Sequence, residues 1–146
     1  MKKTLDRIFI DGLSGMAQGL FATLIIGTII QQIGAMVTGN TGAWIVLIGK
    51  VAASMTGAGI GVGVARKFEA SQLVVVSAAT AGMVGAFAGK ILSGEILQNG
   101  AIVLAGPGEP LGAFVAAYLA VEVGILIAGK TKLDILITPL VTIGVG

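Results

Sequence analysis

Apolar residues run along this chain in long blocks, and polar residues collect in the short gaps between them. Crossing about 30 Å of hydrocarbon takes about 20 apolar residues in a helix, so the blocks read as membrane spans. The first is expected within Leu13 to Val37, with Ile8 to Gly12 as an interfacial lead-in and Thr38 to Gly42 as an uncharged turn. A second span runs from Ala43 to Ala65 and is closed by the charged loop Arg66 to Glu69. The third is expected from Gln72 to about Leu92, the fourth from Leu111 to Gly129, and Lys130 to Asp134 is a polar turn. A fifth apolar segment begins at Ile135 and runs to Gly146. Between the third and fourth spans, Ser93 to Gly112 holds short apolar pieces broken by Gly94, Gly100, Gly106, Pro107, Gly108 and Pro110.

Composition strengthens the membrane reading. Of 146 residues 55% are hydrophobic and 11% charged, with a mean hydropathy of +1.02; a water-facing surface needs roughly 25% charged residues. The 24 glycines lie among Ile, Leu, Val and Ala, which suits close helix packing in lipid. Cysteine and histidine are both absent, which excludes disulfides, Cys/His metal sites and His-based catalytic triads. No metal, cofactor or catalytic residue is therefore expected. The net charge of +2 comes from scattered basic residues, so no nucleic-acid partner is expected either. Asp6 and Asp11 interrupt the approach to the first block and no A-x-A-like site closes it, so the first helix reads as retained rather than cleaved.

Loop charges predict the orientation, since Lys and Arg stay cytoplasmic. Lys2, Lys3 and Arg7 precede the first span, Arg66 and Lys67 follow the second, and Lys130 and Lys132 follow the fourth. The alternate loops, Thr38 to Gly42 and Ser93 to Gly100, carry no basic residue. The expectation is an all-α polytopic membrane protein: four to five transmembrane helices plus a re-entrant or broken segment, with a cytoplasmic N-terminus. Residues 1–146 read as one transmembrane domain, and the apolar ending Val-Thr-Ile-Gly-Val-Gly146 reads as part of something larger.

Two motifs are weaker than their letters suggest. Gly124 to Thr131 satisfies G-x-x-x-x-G-K-T, but its variable positions continue an apolar helix and offer no free N–H groups to a phosphate. Gly57 to Gly63 is similar to the glycine-rich helix of rotary ATP-synthase c-subunits, yet Gln72 to Leu92 lacks the mid-helix carboxylate those proteins use. The pairs Gly15/Gly19, Gly57/Gly61, Gly59/Gly63 and Gly85/Gly89 read instead as small-xxx-small helix seams. Lys50, Lys90 and Lys130 each follow a glycine at a spacing of forty, but their flanks agree poorly.

Charge inside the apolar blocks is more informative. A charged residue at mid-membrane costs roughly 2.5–3.5 kcal/mol even on lenient scales. Lys50 and Lys90 can extend towards an interface, whereas Glu122 lacks a long stem and needs a partner or a wet cavity; the three are candidate intramembrane charge partners. Glu109 is the main candidate for function. It lies in Gly106-Pro-Gly-Glu-Pro110-Leu-Gly112, where prolines and glycines prevent a regular helix. Broken backbone at membrane depth survives where protein or a water-filled cavity satisfies its polar groups, and transporters place solute sites at such breaks. A carboxylate suits a sugar because it accepts hydrogen bonds from neighbouring hydroxyls. Gly106, Gly108, Glu109 and Pro110 are thus the candidate solute-binding residues. An ordinary extracellular turn with a solvated Glu is the alternative.

Gly106-Pro-Gly-Glu-Pro110 resembles the Gly-Ile-Thr-Glu-Pro signature of EIIC membrane components of the bacterial sugar phosphotransferase system, agreeing at Gly106, Glu109 and Pro110 and departing at Pro107 and Gly108. Asp11 to Thr28, Gly106 to Gly112, and Gly129 to Ile135 with Thr138-Pro139 extend the likeness to the EIIC branch that includes PfoR-type toxin regulators. The resemblance implies a dimeric carrier of about ten helices in the bacterial plasma membrane, with this chain as its N-terminal half. It also implies a sugar held at Glu109 and soluble A and B components as partners. Those components carry the phosphoryl-transfer residues, so the chain itself is expected to be a permease rather than an enzyme. A membrane-embedded regulator that binds a ligand without moving it is the second reading, and an ion-conducting rotor the third.

Overall fold

The computed structural model describes residues 6–104, 106–127 and 134–146, with backbone alone for 134–137. Helix α1 spans Arg7–Met36 without interruption; the lead-in at Ile8 to Gly12 is part of it. Two stretches, Arg7–Gly12 and Phe21–Ile25, widen to π-helical turns. The second contains Thr23 and is followed by Thr28, whose hydroxyls bond back to their own helix, Thr23 Oγ1 to Gly19 O at 2.7 Å and Thr28 Oγ1 to Leu24 O at 2.8 Å. Such back-bonding competes with the ladder and loosens it.

The expected second span is two helices, α2 (Asn40–Ser54) and α3 (Thr56–Lys67), bent by 48° at Met55. The buried Thr56 hydroxyl donates to Ala53 O at 2.6 Å and so satisfies a carbonyl at the bend. The third block also breaks. Helix α4 covers Gln72–Ala86, Phe87 interrupts it, and the short α5 covers Ala88–Ser93. Helix α6 (Pro110–Ile127) and helix α7 (Asp134–Val145, with Pro139 inside) complete the described helices. By length and apolarity α1 and α6 can each cross a bilayer, at mean hydropathies of 1.7 and 2.0, and the bent α2–α3 pair has the form of a broken span or of a re-entrant loop. Among the described residues, length and apolarity thus give two or three spans and do not confirm the four to five expected. At 15 residues α4 is an apolar helix short of a span, because the run expected to reach Leu92 is divided at Phe87.

Ser93 to Gly112 contains an element not anticipated from the sequence, a two-residue antiparallel pair of β1 (Leu97–Gln98) and β2 (Ala101–Ile102). Asn99 and Gly100 join the strands with φ of 54° and 80°, the doubly positive turn that an Asn-Gly pair favours in tight hairpins.

Glycine seams hold the helices together. The first half of α1 lies on α3 and its second half on α2, so one helix spans both arms of the bend. Backbone approach sets the closeness: a Cβ built on Gly19 would lie 2.1 Å from Gly59 O, and one on Gly63 2.0 Å from Gly15 O. Gly57 and Gly61 face Gly82 and Ala78 of α4, while Gly85 faces Gly112 of α6. These are the expected small-residue pairs, with one exception: Gly89 has nothing within 4 Å, because the break at Phe87 turns α5 off the seam. Ile60, Val64, Val74, Ala78, Phe114 and Val121, among others, form the core where α3, α4 and α6 meet.

Candidate functional site at the broken segment

Pro110 occupies the first position of α6, where its missing N–H costs nothing and its fixed φ already suits a helix. Glu109 stands immediately before it as the cap. Its backbone carbonyl accepts Ala113 N–H at 3.0 Å, and its Oε1 accepts Leu111 N–H at 3.1 Å. This side-chain bond satisfies a donor that the helix cannot satisfy internally. The second carboxylate oxygen has no protein partner among the described residues.

The segment before the cap is tied to the break in α4. Glu109 N–H donates to Ala86 O at 2.7 Å, at the last residue of α4. Gly108 crosses the same carbonyl with φ of +74°, and a Cβ there would lie 2.7 Å from Ala86 O. Two interruptions distant in sequence therefore meet, each satisfying a polar group of the other, as irregular backbone within an apolar bundle requires.

Three clefts border this junction; one, of about 520 Å³, is lined by Gly85, Ala88, Glu109, Leu111 and Gly112 among others, and the other two hold polar and charged side chains of α1, α2 and α5. Of these two, the first, of about 400 Å³, is lined by Ala86, Gly89, Lys90, Pro107, Gly108 and Glu109. The second, of about 620 Å³, brings Thr28 and Gln31 of α1 and Lys50 and Ser54 of α2 against Gly106 and Pro107. Pro107 is common to these two. The four candidate solute residues and two of the three candidate charges thus gather around one segment. Lys90 also stands over the Phe87 ring, its Nζ 5.7 Å from the centroid. The convergence of Lys50 with Gly106 and Pro107, and the contributions of Thr28, Gln31 and Ser54, carry no local sequence signal: they depend on the α1–α2 crossing.

Glu122 lies elsewhere. It is thirteen residues further along α6, about 20 Å at 1.5 Å per residue, and its partner is neither Lys50 nor Lys90. Arg7 Nε donates to Glu122 Oε1 at 2.5 Å, the ion pair found among the described residues. The Arg7 guanidinium also lies 4.1 Å from the Phe68 centroid, and Tyr118 meets Phe68 edge-on. The start of the chain and the Arg66 to Glu69 loop therefore share one end of the bundle, as the alternation of loop charge requires. The lysine-rich turn of the fourth span lies outside the described residues. So does much of the P-loop-like string; of it, Gly124 to Ile127 are helical.

With the Arg7 and Glu122 side chains still 39% and 35% accessible, solvent screens the pair and limits it to about 1 kcal/mol. Arg7→Gln and Glu122→Gln should each lower unfolding stability in detergent by about that much. The double substitution should cost scarcely more than either alone; full additivity would mean that the pair contributes nothing.

The comparisons with curated proteins and with solved structures returned no match. A family model described as "Phosphotransferase system, EIIC" matches residues 10–146, which takes in the three clefts, the capped segment and both arms of the bent pair. Helices apolar enough to cross a membrane agree with this match, and the chain belongs to the EIIC family, the membrane-embedded sugar-transport components of the bacterial phosphotransferase system.

Proposed function

We propose that the chain supplies the solute-binding part of an EIIC permease and that the Gly106–Pro110 segment is where a sugar or similar polar solute is held. One observation carries this reading: Glu109 caps α6 with one carboxylate oxygen while lining a cleft of about 400 Å³ beside a backbone break. A fixed carboxylate with acceptor capacity to spare suits neighbouring hydroxyls, each charge-assisted hydrogen bond being worth about 1.5–3 kcal/mol. The anchoring of Glu109 N–H on Ala86 O holds the acceptor still, so binding does not have to order it. Residues 1–146 would act as one transmembrane unit, within a homodimer, with the N-terminus cytoplasmic and soluble A and B components phosphorylating the cargo. Family membership supports these partners, and the shared location of Arg7 and Phe68 supports the orientation.

Glu109→Gln separates the two roles of this side chain. The amide oxygen can still accept Leu111 N–H, so the cap and the fold should persist, while the charge is lost. Sugar binding and uptake in proteoliposomes should fall about 10- to 100-fold, the equivalent of about 1.5–3 kcal/mol, with unchanged helix content. Uptake at the unsubstituted rate would remove Glu109 from the site.

A further inference from the structure

The glycines that let α1 and α3 approach also leave a groove of about 620 Å³ beside their seam. Met55, Gly59, Val62 and Arg66 line it from the α3 side. These positions recur every three or four residues, so they form one stripe along the helix. At 1.5 Å per residue the stripe is about 16 Å long, and it runs from the 48° bend to the charged loop that closes α3. Gln18 and Ala22 border the groove from α1. It shares no lining residue with the clefts at the broken segment, so a guest here is separate from any solute held at Glu109.

Polarity changes in steps along this groove. Arg66 is the charged residue that lines it, exposed in the last turn of α3. Among the described residues Arg66 has no ion-pair partner. Gln18 stands part-way in, because Gly15 and Gly19 on either side of it pack on Gly63 and Gly59. Its amide has no hydrogen-bond partner among the described residues. Towards the bend the lining is Ala22, Met55 and Ala58, and the Thr23 hydroxyl already donates to Gly19 O at 2.7 Å. Charge, then amide, then hydrocarbon is the order of groups met along a membrane lipid.

We propose that the groove holds an anionic phospholipid, its phosphate on Arg66, its ester region beside Gln18 and one acyl chain along α3 towards Met55. A basic group at the mouth of a groove between membrane helices recognises an anionic headgroup. Van der Waals contact with the groove wall holds the chain, since lipid tails gain nothing from the hydrophobic effect inside a bilayer. An apolar helix from a second copy could fill the groove but would leave the arginine unanswered.

The full chain in phosphatidylcholine vesicles would be probed with nitroxide-labelled phosphatidylglycerol and phosphatidylcholine of equal chain length. Electron paramagnetic resonance reads the motionally restricted fraction of each. The restricted fraction should favour phosphatidylglycerol by about five-fold at low salt, the effect of one basic group near the surface. Arg66→Gln should bring that preference to within about two-fold, and Arg66→Lys should keep it. Lys67→Gln removes the same charge from the same loop but outside the groove lining, and the preference should survive it. Ala22→Leu fills the groove from an exposed wall position and should remove the preference although Arg66 remains. Equal retention of the two headgroups would overturn the proposal, as would a preference that survives Arg66→Gln or Ala22→Leu. Equal losses in Arg66→Gln and Lys67→Gln would also overturn it, because they mark general surface attraction. The chain has no cysteine, so Val62→Cys supplies a single thiol on the groove. Disulfide-linked pairs of that variant forming in high yield in the membrane would give the groove to a second copy and sink the lipid assignment.

Discussion

Gly108→Ala should empty the proposed solute site while leaving the helices assembled. Two costs fall on this one position. The backbone there has φ of +74°, a left-handed conformation that costs a residue with a side chain about 1–2 kcal/mol. The added methyl would also lie 2.7 Å from Ala86 O and 2.9 Å from Ala86 Cβ, and overpacking against backbone costs about 1–3 kcal/mol. The segment escapes both by moving away from α4, which breaks the bond from Glu109 N–H to Ala86 O. Solute affinity should then drop by about 100-fold or more, corresponding to about 3 kcal/mol. Gly106→Ala is the informative comparison: its φ is +76°, but nothing lies within 4 Å of the added methyl. Only the conformational cost applies there, and affinity should fall about ten-fold. Equal losses at both positions would show that contact with Ala86 is not what positions Glu109, and full binding by Gly108→Ala would remove the segment from the site.

What is legible in the amino-acid order and what is hidden from it divide along a physical line. Apolar runs and small-xxx-small spacings are local periodicities, so the membrane-spanning character of α1 and α6 and the use of Gly15/Gly19 and Gly59/Gly63 as packing seams follow from them, whereas that these two seams meet each other does not. The broken segment is legible as well, because Gly106, Pro107, Gly108 and Pro110 forbid a helix whatever surrounds them. The break at Phe87 is not, since no proline stands there and its cause is tertiary: Ala86 O is engaged by a backbone group 23 positions later. Arg7 and Glu122 are 115 residues apart, and nothing local at Glu122 indicates which cation will meet it. The hairpin is a different case. Asn99-Gly100 is a strong turn signal, but it is set among short apolar pieces whose hydropathy masks it.

Shared atoms couple the broken segment to the helices around it. The same carbonyl, Ala86 O, ends α4 and anchors Glu109, so a displacement of α4 displaces the cap of α6 and with it the carboxylate. Cleft shape and helix position are linked through one hydrogen bond. The Arg7–Glu122 pair ties α1 to α6 about 20 Å away along the helix, and the glycine seam ties α1 to α3 between these points.

That seam is where the largest loss of stability is expected, and Gly19→Leu tests it. A Cβ on Gly19 would lie 2.1 Å from Gly59 O and 2.7 Å from Ile60 N. Both are backbone atoms of α3, and a backbone cannot change rotamer to make room. The helices must separate, which forfeits the close contacts that hold helices together where lipid tails offer no hydrophobic drive. A loss of about 3 kcal/mol or more in detergent unfolding is expected, at or above the upper end of overpacking costs. The contrast is Gly89→Ala, in a helix where an added methyl has nothing within 4 Å; helix propensity alone favours it by about 1 kcal/mol, so it should be neutral or stabilising. If Gly19→Leu unfolded at the same denaturant concentration as the unsubstituted chain, α1 could not be resting on α3 at this distance. The clefts lined from α1 and α2 would then need a different origin.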